Sequence, residues 1–126
     1  MTQWTSDQLD QFGKAEELQI ASVGRDGKLR KPVTVWAVRH GEDLYVRSVR
    51  GRDGYWFRGT EERHEGRIRA GGAQQDITFI EADHNIDNEI DAAYRDKYRR
   101  YAGRILESVL TPEARTSTLK LEPRVS

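Results

Sequence analysis

The sequence predicts a mainly β domain: a small antiparallel barrel of six strands, with a short N-terminal helix and one long helix before the last strand. Two observations carry this. Apolar residues recur in six short strand-like segments divided by turn residues, and once, between residues 86 and 105, the apolar period lengthens to three or four. The chain has 126 residues, one domain's length, so residues 1–126 are read as a single unit.

Thr5 followed by Gln8 has the pattern of a capping box, and Asp7 suits the positive end of the helix that follows. Leu9 and Phe12 give that helix a short apolar stripe. LQIASV (18–23) is the first strand, and GRDGK (24–28) is a turn whose Asp-Gly pair suits a hairpin. PVTVWAVRH (32–40) is the second strand, rich in β-branched residues. Val33, Val35 and Ala37 share one face, Trp36 and Val38 the other, as in a barrel wall covered by a partner subunit or a ligand. After the turn HGED comes the third strand, Leu44 to Val49, and then a short helix within GYWFRGTEERH (54–64). GRIRAGG (66–72) and QDITFIEA (75–82) form a strand pair around Gly71-Gly72.

Ile86, Ile90, Tyr94, Tyr98, Tyr101 and Ile105 then make the stripe of an amphipathic helix. Acidic residues at its start (Asp87, Glu89, Asp91) and basic ones later (Arg95, Lys97, Arg99, Arg100, Arg104) match the helix dipole. Pro112 ends the region, and STLKLEP (117–123) alternates as the last strand.

Composition excludes several classes of function. Cysteine is absent, which removes disulfides, thiolate nucleophiles and cysteine metal sites. His40, His64 and His84 are scattered without ligand spacing, so no metal site is expected. Basic and acidic residues balance at 21 each, which argues against nucleic-acid or membrane partners and makes any anion site local. No signal peptide or membrane span is visible, and a cytoplasmic protein is expected. With 36% hydrophobic against 33% charged residues the core is thin, and a homodimer would extend it.

One corner breaks the charge balance. Between residues 47 and 58, Arg47, Arg50, Arg52 and Arg58 face Asp53 alone. A guanidinium can hold phosphate oxygens in a bidentate grip, Ser48 adds a hydroxyl, and Gly51 and Gly54 let backbone amides approach closely. Trp36 and Trp56 would wall a flat ring. The same arginines also read as solvated surface or a dimer salt-bridge patch, and the two tryptophans as core. No nucleophile or acid–base pair stands out, so no catalytic residue is assigned.

The run ELQIASVGRDGKLRKPVTVWAVRHGEDLYVRSVRGRDGYWFRG resembles the first half of the flavin-binding split-barrel superfamily, which includes pyridoxamine phosphate oxidase-like proteins and deazaflavin-dependent nitroreductases. Through GRIRAGG and IDAAYRDKYRRY the chain is similar to an uncharacterised bacterial family of that superfamily. The resemblance implies a six-stranded split barrel that binds flavin mononucleotide (FMN) or a deazaflavin coenzyme and transfers hydride to or from a small organic substrate.

In the deazaflavin branch, the resemblance assigns the phosphate to Arg30, Ser48 and Gly51, with Trp56 following. In the FMN branch it assigns Ser48 and Arg52. Arg47 and Arg50 are added on electrostatic grounds, and Trp36 and Trp56 border the ring. Two departures are visible: GRDGK replaces the usual glycine-arginine-lysine-serine turn, and FRGTEERHEG replaces an asparagine-rich segment. They favour the alternative, a non-enzymatic dimeric binding or stress-related module that keeps the barrel without the cofactor.

Overall fold

Thr5 opens the first helix, α1 (Ser6–Lys14): its hydroxyl accepts from the Gln8 amide, and the Gln8 side chain accepts from the Thr5 amide. The expected capping box is therefore formed. The coordinates, a computed structural model, describe residues 3–124. The strands are β1 (Leu18–Ser22), β2 (Val33–Val35), β3 (Ala37–His40), β4 (Asp43–Val46), β5 (Glu65–Ala70), β6 (Ala73–Glu81) and β7 (Leu119–Pro123). All the pairings are antiparallel, in the order β2-β1-β5-β6-β7-β4-β3.

The sheet has seven strands rather than six, because the segment 32–40 divides at Trp36. Val35 pairs with Leu18 on one side of the break and Ala37 with Val46 on the other. The two edge strands of the sheet are thus consecutive in the chain and one residue apart, so the sheet must curl until its edges nearly meet. Helix α3 (Asp87–Lys97) holds this break. The Tyr94 hydroxyl donates to the Trp36 carbonyl at 2.9 Å, and Lys97 Nζ donates to the Ala37 carbonyl at 2.5 Å. Carbonyls that leave the sheet ladder are satisfied by side chains instead.

The barrel interior is filled by Leu18, Ile20, Val35, Leu44, Val46, Ile68, Ile77, Phe79, Leu119 and Leu121, closed at one end by Leu9 and Phe12 of α1. A second cluster lies outside the wall, where Ile90, Tyr94 and Tyr98 pack on Val38 and Tyr45. The apolar second face of segment 32–40 is therefore covered by this chain's own helix.

The long helix is shorter than expected. Residue Lys97 ends α3, a 3-10 turn covers Arg99–Tyr101, and Gly103 at φ 106° redirects the chain. Two short helices follow, α4 (Arg104–Glu107) and α5 (Pro112–Thr116). A residue with that backbone cannot continue a helix, which is why Ile105, on the helical stripe by count, stands 60% exposed. Among the described residues, no helix is long and apolar enough to cross a membrane.

Candidate functional site

Strand β4 delivers two buried polar residues, Arg47 and Ser48, to the mouth of the barrel. The chain then turns through Arg50 and a 3-10 turn (Gly51–Asp53) into helix α2 (Tyr55–Arg63). The corner is fixed by its backbone. The Ser48 amide donates to Ser117 Oγ at 2.8 Å, and the Gly51 amide donates to the Ser48 carbonyl at 2.9 Å. Gly51 adopts φ 63°, and a Cβ there would fall 2.7 Å from the Glu113 carbonyl oxygen, so only glycine fits.

Gly54 precedes α2 with no side-chain cap, leaving the first amides of that helix open. A Cβ at Gly54 would lie 2.2 Å from Ser48 Oγ, so the hydroxyl sits directly against the helix start. Beside this corner lies a cavity of about 460 Å³. Its lining includes Val33, Val35 and Trp36 from the split edge, Arg47, Ser48, Val49 and Arg50 from the corner, and Tyr55 and Trp56 from α2. Glu17, Ile105 and Val109 complete much of the rest.

The expected site residues meet different fates. Ser48, Arg50, Trp36 and Trp56 gather at the cavity. Arg50 is exposed, and among the described residues it has no carboxylate partner. Arg47 touches the cavity but is held from behind: Nη1 donates to Asp91 Oδ1 at 2.5 Å and the Val109 carbonyl at 2.9 Å, and Nε donates to Thr118 Oγ1 at 2.9 Å. Burial pushes the Asp91 carboxyl up, but hydrogen bonds from Arg115 and Arg47 outweigh it and hold the group below the usual carboxylate value.

Arg52 turns away, donating to Glu81 Oε1 at 2.7 Å and the Thr116 carbonyl at 3.0 Å, with its guanidinium over Phe57. That hydrogen bond holds the Glu81 carboxyl below its ordinary value. Arg30 pairs with Glu62 and lines separate clefts by the 24–28 turn, not the cavity. Gly51 shapes the turn without lining the cavity. The arginine cluster read from the sequence is therefore split, because Asp91 and Glu81, distant in sequence, take Arg47 and Arg52, and Glu62 takes Arg30, which the resemblance adds.

Sequence reasoning missed Glu17, Val49, Tyr55 and Ile105 as cavity residues. The last three are large apolar side chains 53%, 74% and 60% exposed, ringing the mouth. Their signal was present only for Tyr55, inside the aromatic run. Among the described residues, no group of three or more His, Asp or Glu side chains is placed to hold a metal.

This nearly closed antiparallel sheet with a cavity at its split edge is a split barrel. The chain belongs to the family described as uncharacterized protein conserved in bacteria, DUF2255, whose model matches residues 8–121. Among solved structures, it is similar to the heme storage protein HutZ from Vibrio cholerae, with 13% identity, 96% of this chain and 89% of that one covered, and a TM-score of 0.61. An F420-H2 dependent reductase (FDR-A) is similar at 15% identity, 85% and 93% coverage, and a TM-score of 0.61. A FAD and heme binding protein from Mycobacterium smegmatis is similar at 16% identity, with all of this chain and 69% of that one covered, and a TM-score of 0.57. No curated protein matches the chain.

Proposed function

We propose that the cavity holds a flavin- or deazaflavin-type nucleotide and that the protein uses it for hydride transfer with a small organic substrate. The observation that carries this reading is the corner at Ser48: a buried hydroxyl, an uncapped helix start and Arg50, which has no carboxylate partner among the described residues, line the same apolar cavity. Amides at a helix start and a guanidinium attract an anion. A cavity of about 460 Å³ with tryptophan walls suits a flat ring. The fit is to a phosphate at Ser48 and Arg50, with Trp36 and Trp56 bordering the ring.

When bound, such a cofactor supplies the hydride chemistry, while the protein binds, orients and excludes water. The names of the structural neighbours, which include an F420-H2 dependent reductase and a FAD and heme binding protein, support the cofactor class. The exposed apolar rim at Val49, Tyr55 and Ile105 supports a homodimer that covers the mouth.

Titration of the purified protein with FMN, FAD and F420, followed by fluorescence, tests the proposal. Saturable binding to at least one is expected, weakened by about 1.5–3 kcal/mol in Arg50→Ala through loss of a charged hydrogen bond. No binding to any of the three removes the proposal. A second reading, a binding module without redox cofactor, is favoured by the engagement of Arg47 and Arg52 with carboxylates of this same chain. Saturable binding of a neutral aromatic ligand, unaffected by Arg50→Ala, is the result that reading expects.

A further inference from the structure

Trp36 is at once a wall of the cavity and the first ring of an aromatic path to the surface. Its indole lies 4.0 Å from the Tyr98 ring at an interplanar angle of 5°, and 5.2 Å from the ring of Tyr101. Tyr98 and Tyr101 are themselves 6.4 Å apart. Tyr98 is buried, while Tyr101 is half-buried and reaches solvent. Parallel rings in van der Waals contact overlap their π systems, which is the arrangement that passes an electron most readily.

The tyrosines differ in where a proton can go. Tyr94 donates to the Trp36 carbonyl, and Tyr98 donates to the carbonyls of Glu16 and Ala37. A backbone carbonyl is a hydrogen-bond acceptor and not a base that takes a proton. Burial also pushes both phenols well above their ordinary value. Tyr101 instead donates to the Glu16 carboxylate, at 2.8 Å. That carboxylate also pairs with Arg100, whose guanidinium donates to the Tyr101 hydroxyl at 2.9 Å. A phenol that loses an electron becomes a strong acid, so the tyrosine with a carboxylate partner is the one where an oxidising equivalent comes to rest.

We propose that Trp36, Tyr98 and Tyr101 form a hole-transfer path that carries an oxidising equivalent from the cavity to the protein surface. One electron leaves Tyr101, passes through the stack, and reduces a one-electron oxidant held in the cavity. The Tyr101 proton moves to the Glu16 carboxylate, leaving a neutral tyrosyl radical. A soluble reductant such as a thiol or ascorbate then returns one electron to Tyr101, the proton held on Glu16 goes back to the phenol oxygen, and the oxidised reductant releases its own proton to solvent. That the natural oxidant is a photoexcited flavin-type ring rests on the function proposed above; the path itself is a property of this chain.

The absence of cysteine allows a test that needs no cofactor. Val49 stands 53% exposed on the cavity rim, so Val49→Cys can carry a thiol-reactive ruthenium polypyridyl photo-oxidant. Tyr55, exposed on the same rim, is first removed as Tyr55→Phe. A laser flash with a soluble electron acceptor leaves ruthenium(III), and transient absorption with freeze-quench electron paramagnetic resonance identifies the radical formed.

A neutral tyrosyl radical is expected. Tyr101→Phe, which keeps the Trp36–Tyr98 stack, should abolish it and leave a tryptophan radical, and Glu16→Gln should lower its yield. A tyrosyl yield unchanged in Tyr101→Phe, or a radical that stays on tryptophan with Tyr101 intact, overturns the proposal. A stack that serves packing alone would alter melting temperature without moving the radical. Flavin titration of the unlabelled protein judges the cofactor separately, so failure of one does not mimic failure of the other.

Discussion

Replacing Asp91 by alanine removes the carboxylate that joins the barrel to the segment behind the cavity. Asp91 is 1% exposed, and the Arg47 side chain it faces is fully buried. Its Oδ1 takes Arg47 Nη1 at 2.5 Å, and its Oδ2 takes Arg115 Nε at 3.0 Å. Without it Arg47 keeps only hydroxyl and carbonyl partners, Thr118 Oγ1 and the carbonyls of Val109 and Asp87. Those satisfy hydrogen bonds but not the charge. Removing one partner of a buried pair costs about 3–5 kcal/mol, since the other charge is left uncompensated.

At a domain of this size that loss corresponds to a melting temperature lower by roughly 10–20 °C. Urea unfolding followed by circular dichroism should show a lower midpoint with unchanged slope. The pair Arg47→Met with Asp91→Leu, which removes both charges, should recover most of the loss. A single-variant cost under about 1 kcal/mol would refute the reasoning, because it would mean water or a rearranged carboxylate reaches Arg47 freely. The acid limb follows the same logic. The Asp91 carboxyl is held below its unfolded value, so its contribution is fully present above about pH 4 and is lost as pH falls through the folded value. Asp91→Asn should therefore flatten the fall in stability below about pH 4.

Two further predictions concern the wall and its split. Gly66→Ala should destabilise by about 1–3 kcal/mol or more by overpacking: the new Cβ would lie 2.3 Å from the Ala21 carbonyl oxygen and 2.7 Å from the Phe79 ring. Chemical denaturation measures this, and a neutral result would show that β1 and β5 can move apart. Burial draws the Lys97 amine down to about 8, below its unfolded value near 10.4, so the unfolded chain binds more protons between these two values. Stability should rise with pH across that window, and Lys97→Met should abolish the rise; an unchanged pH profile in the variant would show that the amine stays charged.

The strands were legible because alternation and turn chemistry are local, and the six expected segments all became strands. The seventh was not, because the break at Trp36 is imposed from outside. Val-Trp-Ala in the middle of a β-branched run gives no sign of ending a strand, and the carbonyls released there are taken by Tyr94 and Lys97, some 60 residues later. The stripe from Ile86 to Tyr98 was read correctly as buried packing, and its failure beyond Gly103 is a backbone event at one residue. The site was legible in the same uneven way. Residue type picked out Ser48, Arg50, Trp36 and Trp56, which the fold brings to one cavity. The pairing of Arg47, Arg52 and Arg30 was hidden because their carboxylates lie 44, 29 and 32 residues away.

That pairing narrows the anion site proposed for this corner. Four arginines free to converge would bind almost any polyanion through charge alone, and affinity would fall steeply with salt. Here Arg52 is bound to Glu81 and Arg47 to Asp91, leaving Arg50 as the cation at the cavity beside the open amides of α2 and the Ser48 hydroxyl. Directional donors of that kind select by geometry, because amides and hydroxyls must meet lone pairs at hydrogen-bond distance. Binding of a compact phosphate-bearing ligand to this corner should therefore respond weakly to salt and strongly to the backbone at Gly51 and Gly54. The buried Arg47–Asp91 pair adds to the backbone hydrogen bonds of this corner by tying the residue before Ser48 to α3.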